Sequence, residues 1–346
     1  MTTLTDRFGM NLPVIQAPMA GVQGVALALA VARAGGLGSL PAATLMPEAL
    51  RRDLAAIREA GAGPVNVNFF CHAPPVADGG REAAWRERLA PYYAEFGLDP
   101  DALVAAPART PFNHALADVL AELPPAVVSF HFGLPSPDLL ERVRATGAKL
   151  LSSATTVDEA RWLEARGVDA IIAQGLEAGG HRGHFLSDDL DAQAGTFALL
   201  PQIVHAVRVP VIAAGGIADA SGVAAARALG AAGVQVGTAF LLCPEATTSA
   251  VHRQALTAEA GGSTALTNLF TGRPARGIPN RLMRELGALR DDIPAFPLAA
   301  GAVTPLRAKA EAAGRGDFSP LWAGQNTTGC RAVPAAEVAR ELARGW

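Results

Sequence analysis

The sequence predicts a TIM (β/α)8 barrel with an insertion after its third strand and a smaller C-terminal helical lobe. Short β-rich runs alternate with stretches of helical period over roughly 225 residues. Eight such runs occur, which is the number that closes a barrel. Most of them are bounded by Gly or Pro and lack polar alternation, as expected for strands covered on both faces. A doubly wound sheet is the alternative, because it also produces βαβ alternation.

The eight predicted strands are separated by stretches rich in Ala, Leu, Arg and Glu. The strands are expected at residues 14–17, 37–40, 65–69, 127–130, 149–152, 170–174, 211–214 and 234–237. Helices are expected at residues 22–33, 47–60, 137–145, 157–165, 197–206 and 220–229. The helical stretches repeat their apolar positions with a period of about 3.6 residues, which is typical of helices packed on a sheet.

Two regions exceed what a minimal barrel needs. The insertion after the third strand covers about 71–125 and contains probable helices at 82–96 and 113–120. About 100 residues follow the eighth strand, too many for a single closing helix. We therefore expect a barrel domain over 1–243, a lobe over 244–320 that covers the barrel mouth, and a tail over 321–346 that returns to the site.

Composition and charge exclude several classes of protein. A hydrophobic fraction of 50% with 18% charged residues excludes disorder. The formal charge of −3 gives no basic field for nucleic acid or an anionic membrane surface. Three widely spaced cysteines exclude a disulfide framework and a zinc knuckle. With neither a secretory signal nor a run of 18 apolar residues, these features predict a cytoplasmic protein without a membrane span.

Glycine-rich turns follow the seventh and eighth strands, where barrels commonly bind phosphate. The seventh strand runs into Gly215 and Gly216, and the eighth into residues 235–238, Gln-Val-Gly-Thr. Glycines allow the backbone to approach a phosphate, helix N-termini supply N–H donors, and the Thr238 hydroxyl adds another donor. Tight turns alone are the alternative interpretation. Two such loops at the expected positions favour a phosphorylated ligand.

The sixth strand ends in Gln174 and leads to Gly179, Gly180 and His181. Gln174 is expected to point its amide into the barrel mouth, and the paired glycines permit close approach of a flat or anionic ligand. An imidazole with an unperturbed pKa of about 6.5 suits a proton acceptor at neutral pH. A surface histidine on a flexible loop is the alternative for His181. A metal site is not expected, because the glycines break the helix that such ligand spacing needs.

Polar and apolar residues at the ends of the first and third strands complete the candidate site. Asn68 is a polar side chain among apolar neighbours, and either a hydrogen bond to a heteroaromatic ring or a turn cap explains it. Met19 follows Ala17 and Pro18 and is also explained as core. Lys149 begins its strand, away from the catalytic end, so Schiff-base chemistry lacks its lysine.

These motifs together resemble the nitronate monooxygenase family, formerly called 2-nitropropane dioxygenase, and within it class I. The resemblance covers nearly the whole chain, through residues 13–21, 174–183, 214–217, 271–277 and 321–325. The stretch 174–183, Gln-Gly-Leu-Glu-Ala-Gly-Gly-His-Arg-Gly, is its most specific part.

The resemblance implies FMN as cofactor, without a tightly held metal. It implies that FMN is bound by Ala17, Pro18, Met19, Asn68, Gln174, Gly179, Gly180, Gly215, Gly216, Gln235, Val236, Gly237, Thr238, Trp322, Gly324 and Gln325. His181 matches the family's catalytic histidine, which takes a proton from neutral nitroalkanes. The implied reaction oxidises nitronates with O2 to a carbonyl compound and nitrite, and propionate 3-nitronate is the toxin such enzymes remove. The oligomeric state stays open.

Two other functions remain compatible with the sequence. NAD(P)H-dependent flavin reductases of the quinone or enoyl-acyl carrier protein type share the Glu-Ala-Gly-Gly-His core. A flavin-free phosphosugar isomerase or binding barrel also fits the phosphate loops. Arg182, Arg273 and Arg276 are either local attractors for anionic substrates or ordinary solvated charges.

Overall fold

A computed structural model describes residues 3–99, 109–258 and 263–346. Its strands are β1 (Val14–Gln16), β2 (Gly38–Pro41), β3 (Val65–Phe70), β4 (Val127–His131), β5 (Lys149–Ala154), β6 (Ala170–Gln174), β7 (Gly180–His181), β8 (Val211–Ala214), β9 (Gly233–Val236), β10 (Ala265–Thr267) and β11 (Ala275–Gly277). Its helices are α1 (Leu4–Phe8), α2 (Val25–Arg33), α3 (Pro47–Ala60), α4 (Gly79–Glu95), α5 (His114–Glu122), α6 (Pro137–Ala145), α7 (Val157–Glu164), α8 (Thr196–Ala206), α9 (Ala220–Ala228), α10 (Ala250–Thr257), α11 (Arg281–Leu286), α12 (Ala300–Ala312) and α13 (Ala335–Ala343).

Within these residues, eight parallel strands form one closed sheet. Their order is β1-β9-β8-β6-β5-β4-β3-β2. The ring closes between β1 and β2, where the Leu37 N–H donates to the Val14 carbonyl at 3.0 Å and the Gln16 N–H donates to the Leu37 carbonyl at 2.9 Å. Most strand residues are buried, as expected for strands covered on both faces. The predicted TIM barrel is confirmed.

The layer of the barrel interior next to α1 is apolar, and α1 closes this amino-terminal end. Leu4 and Phe8 of this short helix pack with inward-facing strand residues such as Ile15, Leu151 and Ile212. Thr3 and Asp6 form a capping box that begins the helix. This end is therefore sealed, and the open end of the barrel lies at the carboxyl ends of the strands.

The helix that completes the ring around the barrel comes from the predicted tail. Helix α13 packs against both α2 and α9 and so covers the seam where β9 meets β1. Its apolar face buries Ala335, Val338 and Leu342. The tail was predicted as a segment returning to the site, and the structure shows that its last part is a barrel helix.

The lobe differs from the helical lobe expected from the sequence. Besides α10, α11 and α12, its described residues contain β10 and β11, which pair antiparallel with each other. Strand β11 also pairs with β7, the two-residue strand that follows β6. These strands are two or three residues long, too short for a period-2 pattern to show in the sequence.

The insertion and the lobe share one hydrophobic cluster. Trp85 and Tyr93 of α4 pack with lobe residues such as Leu306 and Phe318. The Trp85 indole N–H donates to the Ala299 carbonyl at 3.1 Å, and the Tyr93 hydroxyl donates to the Ala302 carbonyl at 2.7 Å. The other insertion helix, α5, packs against α3 and α6 as part of the helical ring.

No helix in the described part of the chain is both long and apolar enough to cross a membrane.

Candidate active site

A deep cavity opens at the carboxyl ends of the barrel strands, beneath the lobe. It encloses about 1390 Å³, including its solvent-open mouth. Residues predicted from the sequence lie around it: Ala17, Pro18, Met19, Asn68, Gln174, Gly179, Gly180, His181, Gly215, Gly216, Gln235, Val236, Gly237, Thr238, Trp322 and Gly324. Gln325 is not among the lining residues; its N–H donates to the Glu177 carbonyl at 2.9 Å.

Two backbone turns form one wall of the cavity. Gly215 and Gly216 have φ values of 118° and 74°, which L-residues with side chains rarely adopt. Beside them the Thr238 hydroxyl oxygen accepts from the Gly324 N–H at 2.9 Å, so its own hydrogen remains available to a ligand. A third turn, at Gly179, lies close to the C-terminal tail, because a Cβ added at Gly179 would lie 2.5 Å from the backbone of Ala323.

Glu177 holds the loops after β6 and β8 against the start of α8. Its carboxylate accepts from the Thr196 N–H at 2.8 Å. The Thr196 hydroxyl lies 2.9 Å from both a Glu177 carboxylate oxygen and the Gly215 carbonyl. The residue before the helix, Gly195, has no side chain to cap it, so Glu177 supplies the missing acceptor from another loop.

The loop from Gln174 to Gly183 is held by hydrogen bonds from its own side chains. Arg182 is wholly buried and donates to the carbonyls of Gln174 at 2.8 Å and Gly175 at 2.7 Å. Its Nε donates to Gln193 at 2.8 Å. The Gln174 amide donates to the His181 carbonyl at 3.0 Å and accepts from the Gly183 N–H at 2.7 Å. Gln174 therefore lines the cavity with an amide that is already engaged in shaping the loop.

His181 is fixed at both its backbone and its ring. Its carbonyl accepts from Gln174 and also from His131 Nε2 at 3.2 Å. Its ring Nε2 lies 2.9 Å from the Thr271 hydroxyl, which in turn lies 3.4 Å from the Arg273 carbonyl. When Thr271 donates to that carbonyl, it accepts from Nε2–H, and Nδ1 is then the unprotonated, basic atom of His181.

Aromatic rings surround His181 and leave it only partly exposed to water. The ring centroids of Phe70, Phe132, Phe296 and Trp322 lie 6.1, 6.1, 5.4 and 5.6 Å from that of His181. This burial, reinforced by the positive charge of nearby arginines, lowers the pKa of His181 well below its ordinary value of 6.5. The imidazole is thus neutral at physiological pH, the state in which it accepts a proton.

His131 supports His181 and was not predicted from the sequence. Its Nε2 faces a carbonyl, which can only accept, so Nε2 carries the proton and Nδ1 accepts from the Ser153 hydroxyl at 2.6 Å. Burial lowers the pKa of His131 to about 3 and keeps it neutral. His131 ends β4 as Gln174 ends β6, so the rule that identified Gln174 applies equally to His131.

Other side chains make contacts that the sequence did not predict. Asn68 donates to the Ser129 hydroxyl at 3.0 Å, bridging β3 and β4 across the cavity wall. Of the three arginines considered for anionic substrates, Arg182 and Arg276 donate to backbone carbonyls, and Arg273 stacks on Phe132 with its guanidinium carbon 4.3 Å from the ring centre. None of the three lines the cavity.

Arg109, from the insertion, lines the cavity instead. Its position depends on long-range packing and has no local sequence signature. Among the described residues, no three His, Cys, Asp or Glu side chains are grouped so as to hold a metal ion.

The sealed barrel, the cavity at the carboxyl ends of its strands and the neutral, half-buried histidine that lines it define a TIM-barrel enzyme. The sequence model of the nitronate monooxygenase family matches residues 1–345. The chain belongs to this family of flavin-dependent oxidoreductases.

Individual relatives agree with this assignment. Nitronate monooxygenase from Pseudomonas aeruginosa is 44% identical, with 98% of each chain covered. Nitronate monooxygenase from Paraburkholderia phytofirmans is also 44% identical over 99% of this chain and 94% of its own. A solved nitroalkane oxidase from Streptomyces ansochromogenes has a TM-score of 0.89 and 39% identity over 99% of this chain and 98% of its own. FabK from Thermotoga maritima has a TM-score of 0.73 and 26% identity, covering 100% and 96%.

Replacing Arg182 with Met is expected to destabilise the protein by about 2–4 kcal/mol, because three buried acceptors lose a charged donor. Arg52→Met is the matched control, since that side chain is 74% exposed and its loss should change the free energy of unfolding by less than about 0.5 kcal/mol. Denaturant unfolding measures both. Equal stability of the two variants would contradict a structural role for Arg182.

Proposed function

We propose that this protein oxidises alkyl nitronates, propionate 3-nitronate among them, using FMN and O2. The products are a carbonyl compound and nitrite, and the role is detoxification in the cytoplasm. The observation that carries the proposal is the neutral, half-buried His181 in a cavity with a glycine-rich wall, in a chain of the nitronate monooxygenase family.

The residues of the cavity fit FMN in chemistry. The glycine turns at 215–216 and the Thr238 hydroxyl suit a phosphate, since they offer backbone approach and a free donor. The buried Gln235 side-chain oxygen, which lacks a hydrogen-bond partner, is an acceptor for a donor on the cofactor.

We assign the remaining contacts by position around the cavity. Ala17, Pro18 and Met19 form an apolar wall for the flavin, and Gly179 contributes backbone to the same lining. Asn68 and Trp322 also line this space. When bound, FMN supplies the electron-accepting and oxygen-reactive chemistry, while the protein binds, orients and desolvates the substrate.

His181 performs the proton transfer in this proposal. A neutral nitroalkane loses a proton from the carbon bearing the nitro group, and the imidazole accepts it. A nitronate has already lost that proton, so its oxidation does not need the base. The aromatic rings around His181 exclude water and keep the imidazole neutral and ready.

The first test is the visible spectrum of the purified protein, recorded without oxygen before and after adding propionate 3-nitronate. We expect flavin bands that lose absorbance when the nitronate is added, and nitrite when oxygen is admitted. Flavin bands that respond to NADH but not to nitronate would favour the reductase alternative. A protein without flavin after FMN is supplied would overturn the proposal.

His181→Asn is expected to retain FMN and to lose turnover with neutral nitroalkanes by about 100-fold or more, because general base catalysis contributes about that much. Turnover with preformed nitronates should fall far less. His205→Asn is the control, since His205 is exposed on α8. Unchanged nitroalkane turnover in His181→Asn, measured as kcat/KM, would exclude His181 as the base.

The expected pH dependence of nitroalkane turnover follows from the direction in which the pKa of His181 is shifted. Because its pKa is lowered, the basic form persists as pH falls through 6.5, and kcat/KM for a neutral nitroalkane should stay level there. The decline is expected only at clearly lower pH, when the imidazole becomes protonated. A midpoint at or above 6.5, absent from nitronate kinetics, would contradict the buried neutral state.

A further inference from the structure

Arg109 is the one charged side chain that lines the cavity in the described part of the chain. The other described lining residues include no Asp, Glu or Lys, although the protein as a whole carries a net negative charge. No Asp or Glu side chain among the described residues lies within 4 Å of the Arg109 guanidinium as an ion-pair partner. A partly buried cation without such a partner is available to an anionic ligand.

The structure fixes Arg109 beside β3, across the barrel from the glycine-rich turns. Its carbonyl accepts from His72 Nε2 at 3.0 Å, and the Phe112 N–H donates to the Phe70 carbonyl at 2.8 Å, so this segment is anchored to the end of β3. Around the barrel, β3 lies three strands from β9 and four from β8. The wall formed by the glycine-rich turns and the Arg109 side chain are therefore on opposite sides of the mouth.

Arg109 is also close to the base. Its guanidinium carbon lies 5.9 Å from the centre of the Phe296 ring, and that ring lies 5.4 Å from the His181 ring. Among the charges that lower the pKa of His181, Arg109 has the largest effect. A substrate whose reacting carbon is at His181 thus has its far end within range of Arg109.

We propose that Arg109 is a specificity-determining residue that binds a carboxylate at the end of the substrate remote from the nitronate. This inference rests on the proposed function and adds to it the residue that selects substrates with two anionic groups. The guanidinium forms charge-assisted hydrogen bonds with a carboxylate, and the surrounding aromatic rings strengthen them by excluding water. A nitronate with a methyl group in that position gains nothing from Arg109.

The kinetic test compares propionate 3-nitronate with propane-1-nitronate, in which a methyl group replaces the carboxylate. In Arg109→Met we expect kcat/KM for propionate 3-nitronate to fall about 10- to 30-fold, mainly through KM, and to change less than about 2-fold for propane-1-nitronate. Arg109→Lys should restore part of the loss, since a single charge remains without the bidentate geometry. Equal losses with both substrates would overturn the proposal, because Arg109 would then act on the shared nitronate group.

Arg307→Met is the matched control. Arg307 is a nearby cation whose repulsion lowers the pKa of Arg109. Arg307 itself pairs with Glu311 at 2.8 Å and does not line the cavity. Its replacement should leave the preference between the two nitronates within about 2-fold of wild type. A change as large as that of Arg109→Met would show that general charge, not a contact from Arg109, sets the preference.

A binding measurement tests Arg109 independently of nitronate oxidation. Calorimetric titration of the purified holoprotein with butyrate and with butyramide compares a carboxylate with its neutral analogue. Wild type should bind butyrate about 10-fold or more tightly than butyramide, and Arg109→Met should bind both with similar affinity. If wild type failed to oxidise any nitronate, the proposed function would fall, and this ratio would still decide on Arg109. An equal ratio in wild type and Arg109→Met would overturn the assignment.

Discussion

The candidate site depends on how the loop after β6 is held closed. Arg182 lies wholly inside the protein and binds two carbonyls of the loop that it belongs to, while its backbone N–H donates to Pro274 of the lobe. The same loop pairs with β11 through Gly180 and His181. The buried guanidinium therefore closes the loop on itself, and the two-residue strand and the Arg182 backbone N–H join the loop to the lobe beside His181. A loop with two adjacent glycines would otherwise leave His181 without a defined position.

Burial and hydrogen bonding together determine the protonation state and the position of the His181 ring. The carbonyl of His181 accepts from two side chains, so the ring position is set through the backbone as well as through Thr271. The surrounding aromatic rings and the arginines at the mouth both disfavour the imidazolium form. The site thus combines a base that stays neutral with a positive local field, an arrangement that suits removal of a proton from a neutral molecule and retention of the resulting anion.

The barrel and much of the cavity wall were predictable because their signals are local. Buried strands appear as short apolar runs bounded by Gly or Pro, and the glycine turns at 215–216 follow such a run directly. His181 lies in a stretch of distinctive residues. Asn68 and Gln174 were located at the cavity, but the acceptors of their amides are set by tertiary contacts that a sequence pattern does not contain.

The features that escaped prediction depend on distant partners. Arg182 resembles a surface arginine in the sequence because its acceptors are backbone carbonyls and a glutamine, not carboxylates. Arg109 belongs to the insertion, and the residues that it contacts, His72 and Phe296, are distant from it in the sequence. The strands β7, β10 and β11 are stabilised by one another and are too short to be recognised separately.

Because α13 is the last helix of the chain, the barrel elements are not all synthesised before the lobe. Strand β9 leaves the ribosome about a hundred residues before the helix that covers its seam with β1. During that interval the apolar surface of α2 and α9 lacks its cover, while the whole lobe is being made. The lobe is thus an insertion between the last barrel strand and the last barrel helix. The barrel core is completed by α13 only after the lobe, which covers the cavity, has been synthesised. We therefore expect the barrel and the lobe to fold as one cooperative unit.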